Sequence, residues 1–514
     1  GAPYVYWDLF MIDGLLIGLS AAISPFNLIM VFIGCFLGTF IGMLPGLGPM
    51  SIIAIMIPIA IQIGDPASAL ILLSGVYYGA IFGGSTSSIL INAPGVAGTV
   101  ASSFDGYPMA RAGQAGKALT TAAICSFAGG TIGAILLMIF APVLSTVAKL
   151  FWSAEYFALM VLGLTAIAAF AGKGKVLKAL MMTLLGLMLS TVGESSLFNA
   201  PRFTLGLLDL QSGIHFVTLA MGLFAVPEAF FLALDVLRGK KGGSQEAREI
   251  SNLRINFKEA KTIAPVIGRQ SIQGFLIGVM PGAGATIASF LGYAVERNLA
   301  KPEERKEFGQ GSIKGLSAPE TANNAASTGS FVPLLTLGIP GSGTTAILLG
   351  ALIALNLQPG PLLMQDRPEV FWSVIFSMYF GNIILLILNL PLVPYIARLL
   401  AIPRTYLIPF VLFFAMAGAY IGQNNATELL LLIGFGVFAI IMRFADYPLP
   451  PLLIGFVLGQ LFEDNFGRAI RNANGIQFLW ERPMTLALVI ATLAFVLVPL
   501  YRDWRSRRKR PSLG

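Results

Sequence analysis

Two short clusters of hydroxyl and amide side chains hold most of the chemistry available to this sequence. One is Ser85, Thr86, Ser87, Ser88 and Asn92 in GGSTSSILINAPG; the other is Asn323, Asn324, Ser327, Thr328 and Ser330 in APETANNAASTGSF. Such groups donate hydrogen bonds to carboxylate oxygens and offer oxygen ligands to Na+ without burying a charge. A single serine in an apolar helix more often serves packing. Here each cluster leads into a Pro-Gly break, NAPGVAGT from Asn92 to Thr99 and GIPGSGTT from Gly338 to Thr345, which favours binding. Glu320, beside the asparagine pair, is the leading candidate for cation binding or protonation; Glu194, Glu228 and Glu428 are weaker ones that fit helix ends.

Two further breaks, MLPGLGP (Met43 to Pro49) and VMPGAGA (Val279 to Ala285), interrupt apolar runs. Irregular backbone inside hydrocarbon costs several kcal/mol per unsatisfied amide or carbonyl unless it faces protein or a watery cavity. Four breaks therefore imply a cavity. Amides at a half-helix N-terminus suit a carboxylate, and carbonyls at a C-terminus suit a cation. The expected substrate contacts are Pro45, Gly46 and Gly48, then Ser85, Thr86, Ser87, Asn92 and Gly95. In the second half they are Gly282, Gly284, Asn323, Asn324, Ser327, Thr328, Gly341 and Ser342. Ser88, Glu320 and Thr344 are the expected cation ligands, Na+ or H+.

The elements that must position these groups are membrane helices. Of 514 residues, 56% are hydrophobic and 11% charged, with mean hydropathy +0.80, against roughly 25% charged in ordinary soluble domains. Apolar runs near the length of a bilayer core recur throughout, without the alternation of a β-barrel, so the chain reads as an all-α polytopic membrane protein. It also repeats itself. GTFIGMLPGLG from Gly38 matches GFLIGVMPGAG from Gly274, with six identities in eleven positions at an offset of 236, and Pro94 answers Pro340 at an offset of 246. The ten extra residues fall to the charged insertion Glu296 to Gly315. Duplicated halves with matched Gly/Pro interruptions mark secondary transporters built from discontinuous or re-entrant helices. An odd number of crossings in the first half would make the repeats inverted, and that is the arrangement we expect.

The organisation is then a transmembrane repeat half at 1–237, a basic linker at 238–261, a second half at 262–501 and a basic tail at 502–514. Linker and tail together net +9 against +8 overall, so the rest nets −1. Lysines and arginines near 111–117, 173–178 and 238–261 are each separated by two apolar segments, which puts them, with the C-terminus, on the cytoplasmic face. Arg468, Arg471 and Arg482 fall on the other face by this count. The tail RDWRSRRKR reads as a topology signal rather than a nucleic-acid site. The start, GAPYVYWDLF, lacks an initiator Met and a basic n-region and reads as a processed end rather than a signal peptide.

Several chemistries are disfavoured. Cys35, Cys125 and the single His215 are too few for a disulfide framework or a transition-metal site, and no organic cofactor is expected. GQAGKA at 113–118 has Arg111 and Ala118 where a phosphate loop needs Gly and Ser or Thr. Asp105, ahead of Gly106 and Pro108, reads as a turn residue. Two alternatives to a carrier stand at this point: a channel for small anions and an intramembrane hydrolase.

YYGAIFGGSTSSILINAPG, DGYPMARAGQAGKAL and APETANNAASTGSFVPLLTLGIPGSGTTAILLGAL resemble the large membrane subunit of the tripartite tricarboxylate transporter family, over nearly the whole chain. The resemblance implies an ion-driven importer of organic carboxylates in the bacterial inner membrane. It also implies two partners: a small membrane subunit and a periplasmic solute-binding protein that delivers the ligand. It allows a homo-oligomer. The glycine-rich motifs carry over to Pro45, Gly46 and Gly48, and to Pro281, Gly282 and Gly284.

Overall fold

A computed structural model of the chain describes residues 13–44, 47–169, 171, 174–195, 200–239, 253–396, 404–423, 425–473 and 475–508. Pro45 and Gly46, most of the basic linker and the end of the tail lie outside them. The first helices are α1 (Asp13–Ala22), α2 (Pro25–Gly42), α3 (Pro49–Gln62), α4 (Pro66–Ile91), α5 (Val100–Met109) and α6 (Ala115–Ala148). Next come α7 (Ser153–Ala169), α8 (Val176–Leu189), a two-stranded antiparallel ribbon of β1 (Gly193–Glu194) and β2 (Pro201–Arg202), and α9 (Phe216–Leu237). After the linker run α10 (Phe257–Val279), α11 (Gly284–Leu299), α12 (Pro302–Arg305), α13 (Ile313–Gly329), α14 (Phe331–Leu337) and α15 (Gly343–Ala354). The chain closes with α16 (Leu363–Asp366), α17 (Pro368–Asn389), α18 (Val393–Ile396), α19 (Arg404–Gln423), α20 (Thr427–Phe444), α21 (Pro450–Ala473), α22 (Phe478–Glu481) and α23 (Pro483–Arg508). Among the described residues, six helical stretches are long and apolar enough to cross a membrane, and the chain is an all-α polytopic membrane protein.

Helix starts follow local capping rules. Pro25 and Pro66 occupy first-turn positions, where their missing N–H is not needed, while Ser24 and Asp65 accept from the amides of Asn27 and Ser68. Asn256 and Glu259 close a reciprocal capping box on α10.

The chain divides into two compact units, and each draws on both sides of the linker: 1–145 with 217–440, and 146–216 with 441–514. In the second unit, Gly186 and Gly455 let α8 and α21 approach until an added Cβ would lie 2.0 Å from Leu452 O and 2.3 Å from Thr183 O. Buried Glu155 accepts from Arg482, Thr485 and the Trp152 amide, and Arg202 grips Glu463 through both guanidinium nitrogens at 2.8 and 3.0 Å. Arg482 is thus committed to an ion pair, which charge counting along the sequence does not register.

In the first unit, Gly34, Gly38 and Gly42 of α2 face Leu72, Val76 and Ala80 of α4 in rising order, so the two helices run parallel. The Ser68 hydroxyl donates to Asn27 Oδ1, which places the start of α4 beside the start of α2. Helix α3 must therefore double back, so α2 and α3 form a helical hairpin. The second half is built alike. Gly274 and Gly278 of α10 face Ala322 and Ala326 of α13, and α11 returns along α10 to set Glu296 against Arg269 and Gln270 at 2.7 and 3.0 Å.

The same offsets relate finer details. Gly83 meets Thr39 O and Gly329 meets Phe275 O; Gly95 meets Gly42 O and Gly341 meets Gly278 O. Asn92 and Gly338 both end their helices left-handed, at φ 51° and 69°, a conformation asparagine and glycine tolerate best. Thr99 donates to Val96 O at 2.9 Å and Thr345 to Ser342 O at 3.0 Å. Helices α4 and α13 pass each other in opposite senses, since Ser85 reaches Glu320 while Tyr77 stacks on Phe331 at the other end.

Candidate functional site

Helix α13 is too polar to count among the spanning helices, yet fifteen of its seventeen residues, Gly315 to Gly329, are buried. A polar helix wrapped by protein on all sides is costly unless its groups are used. Spacing of three and four residues puts Leu316, Glu320, Asn323 and Ser327 along one stripe. That stripe runs antiparallel along α5, because Gly106 meets Leu316 and Gly98 meets Asn323.

Glu320 is fully buried, and its Oε2 accepts from Ser85 at 2.8 Å and Ser126 at 2.9 Å. Among the described residues its Oε1 makes no hydrogen bond of ordinary geometry, and neither does the Ser102 hydroxyl, which stands close to the carboxyl. Hydroxyl donors from α4 and α6 thus hold a carboxyl from α13, and no ion pair to it is formed among the described residues. A cavity large enough for about one water adjoins it, lined by Ser85, Thr86, Ser126 and Asn389 among others. The arrangement suits a proton or a cation that enters with its own charge.

The second breaks carry the other predicted residues. Ser87 Oγ donates to Gly84 O and accepts the Gly95 amide at 3.2 Å, and Ser88 Oγ lies 2.7 Å from Gly84 O and 2.9 Å from Thr99 Oγ1, donating its one proton to one of them. Both hydroxyls brace the break. Asn92 is exposed and serves as the left-handed helix end. Asn324, Ser327 and Thr328 bond back to their own helix, at Glu320 O, Asn323 O and Asn324 O. Gly282 N–H bonds to Gly341 O at 3.0 Å, and a Cβ on Gly284 would lie 3.3 Å from the Ser342 Cβ, so the two breaks of the second half touch. Thr344 is buried in the first turn of α15, Gly48 starts α3 without a side-chain cap, and Glu194 lies on the ribbon. Glu428 is in the first turn of α20 and accepts from Thr218, while Glu228 is buried within α9 rather than at a helix end.

Tyr77, Gly98, Ser102 and Ser126 were not singled out by their residue types. The Tyr77 hydroxyl lies among those of Ser327, Ser330 and Ser342. The repeat itself points to it: an offset of 246 carries Tyr77 onto Asn323.

Asp105 corrects the sequence reading. It is a buried residue within α5, not a turn residue, and its Oδ1 accepts three amides, from Gly309, Gly311 and Ser312, at 2.7–2.9 Å. The charged insertion is thereby pinned to α5. The Lys314 ammonium, 2.9 Å from Glu304, also holds that carboxyl below its usual range. This second contribution is complete above the ordinary carboxylate pKa and is lost as pH falls through the lowered value. Asp105→Ala leaves three amides without their acceptor and is expected to cost about 2–4 kcal/mol; thermal unfolding measures it. Asp105→Asn keeps an oxygen but loses the charge assistance, so amide exchange at 309–312 should quicken with a smaller loss of stability.

Comparison with known proteins identifies the class. The tripartite tricarboxylate transporter TctA family matches residues 28–454, and the chain belongs to it. It is a multi-pass membrane transporter and not an enzyme. Among its relatives is an uncharacterized 52.8 kDa protein in the TAR-I ttuC' 3' region of Agrobacterium vitis, 41% identical over 501 residues, covering 97% of this chain and 98% of the relative. Another is an uncharacterized protein in the TAR-II ttuC' 3' region of the same organism, 40% identical over 236 residues, covering 46% of this chain and 97% of that protein. No solved structure matches.

Proposed function

We propose that the chain is the membrane carrier of a cation-coupled importer of organic carboxylates, tricarboxylates or related acids, working by alternating access. Substrate arrives from a periplasmic solute-binding protein, a small membrane subunit completes the complex, and the C-terminus faces the cytoplasm. The observation that carries the coupling is Glu320: a carboxyl with no exposure, held by hydroxyls from Ser85 and Ser126 on two other helices. Intramembrane carboxyls are costly and mark ion or proton pathways. The matched packing at offsets of 236 and 246, with α4 and α13 opposed, supports two inverted structural repeats around that carboxyl.

The test is uptake of radiolabelled citrate, malate and tartrate into proteoliposomes holding the complete complex, with a Na+ gradient, a pH gradient or neither. Concentrative uptake under one gradient is expected. Flux that only equilibrates under every condition would instead make the protein a channel.

A further inference from the structure

We infer that the carrier has one carboxylate site rather than two repeat-related ones: it lies at the helix start at Ala97–Gly98 under Asn323, and Tyr77 closes its counterpart in the second half. The inference rests on the carboxylate-transport reading and decides between two places that the repeat makes equivalent.

At an offset of 246, Val96 corresponds to Ser342, Gly98 to Thr344 and Thr99 to Thr345. Both segments open a helix immediately after a Pro-Gly break, so both begin with amides that have no intrahelical partner and carry the positive end of a helix dipole. They differ in what those amides meet. In the second half, Ser342 accepts the Thr345 amide at 3.3 Å and Thr345 Oγ1 accepts the Ser342 amide at 2.8 Å, a reciprocal capping box. The Tyr77 hydroxyl reaches the same place from α4, beside Ser327, Ser330 and Ser342. There the cap ties down the Ser342 and Thr345 amides, and Tyr77, stacked on Phe331, stands where Asn323 stands in the first half.

In the first half, Val96 stands at the cap position and its side chain offers no hydrogen bond. A 3₁₀ turn, Ala97–Thr99, runs directly into α5, and Ala97 is exposed. A Cβ on Gly98 would lie 2.6 Å from Asn323 Oδ1, so the amide of Asn323 sits directly over this turn. Asn323 has no exposure, and neither its Oδ1 nor its Nδ2 has a partner. A buried amide group with all its hydrogen bonds unmade is expensive and calls for a missing partner. A carboxylate supplies acceptors for the Asn323 NH₂ and for the free amides of Ala97 and Gly98 together. A cation is the wrong charge for that end of a helix.

Tyr77 and Asn323 are themselves related by 246. Each reaches across to the break of the opposite half, Tyr77 to fill it and Asn323 to leave it open. The duplication thus supplied two equivalent helix starts, and substitution at this one pair of positions made them different.

The test is calorimetric titration of the purified full chain with citrate, malate and tartrate. One equivalent of the best ligand is expected. Asn323→Ala should weaken it at least tenfold, and Tyr77→Phe should change it less than threefold. Val96→Ser copies the cap of the second half, so it should raise the Tm while weakening binding severalfold, because its hydroxyl accepts from the Gly98 or Thr99 amide in the space a ligand oxygen needs. A simple packing role for position 96 would not move stability and affinity in opposite directions. Two equivalents bound, or full affinity in a folded Asn323→Ala with loss in Tyr77→Phe, would overturn the assignment. A wild type that neither binds nor transports any of the three acids would overturn the transport reading instead, before any variant is compared.

Discussion

Glu320→Gln is expected to leave a folded carrier that binds and exchanges its carboxylate but no longer concentrates it. Glutamine keeps the shape, and its carbonyl oxygen still accepts from Ser85 and Ser126. It can neither take up a proton nor attract a cation by charge. If the coupling ion is read here, uptake against a gradient falls to equilibration under either a Na+ or a pH gradient. Equilibrium affinity should shift by less than tenfold, about 1.4 kcal/mol. Removing the buried ionisable group is not expected to destabilise the fold, since an isolated buried charge contributes cost rather than support. Glu320→Ala differs: it strands two buried hydroxyls and should lower stability by about 1–3 kcal/mol. Glu428→Gln is the matched control, another buried carboxyl that accepts a hydroxyl, from Thr218, but lies on α20 away from the repeat breaks. Coupled accumulation that survives in Glu320→Gln and fails in Glu428→Gln would move the ion site to α20.

The all-helical class was legible because it is written locally, in hydropathy, and the expectation of a repeat rests on a run of eleven aligned positions that is equally local. The course of the chain between breaks was not. MLPGLGP ends one apolar run and starts another whether the next helix continues forward or turns back, and the parallel packing of α2 on α4 with the Asn27–Ser68 contact shows that α3 turns back. The same limit explains the site. Asn323 and Asn324 are indistinguishable by type, yet one turns its amide to Gly98 and the other to Glu320 O. One position of helical rotation decides, and α13 is held in that rotation by its close packing against Gly274 and Gly278 of α10, more than forty residues before Asn323 in the sequence. Of the two clusters, most hydroxyls brace backbone, and among the described residues the buried groups left without a partner on α13 are few: Asn323, the Thr321 hydroxyl and one oxygen of Glu320, with Ser102 opposite on α5. Asp105 was misread for a related reason, since its three partners lie more than two hundred residues away.

Single methyl groups on α10 should cost substantial stability. A Cβ on Gly278 would stand 2.1 Å from Ala326 O, and one on Gly274 2.4 Å from Ala322 O. These neighbours are backbone atoms of a buried helix and cannot rotate aside, so alanine at either position must push α10 from α13. Overpacking of this kind costs about 1–3 kcal/mol, and more where both helices are held by other contacts. Gly268 lies on the same helix, and a Cβ there would meet nothing within 4 Å. Gly268→Ala should therefore be neutral or stabilise by roughly 0.5–1 kcal/mol through helix propensity. Thermal unfolding of the three variants in one detergent makes the comparison, and equal Tm values would refute close packing as the reason for these glycines. Activity should fall further than stability in Gly278→Ala. Gly341 packs against Gly278 O and its own carbonyl accepts the Gly282 amide, so displacing α10 also pulls apart the two breaks of the second half. In the first half, a Cβ on Gly95 would lie 1.8 Å from Gly42 O. There the same wedge would open the break that carries Ala97 and Gly98, and Gly42→Ala is expected to lose carboxylate binding together with stability.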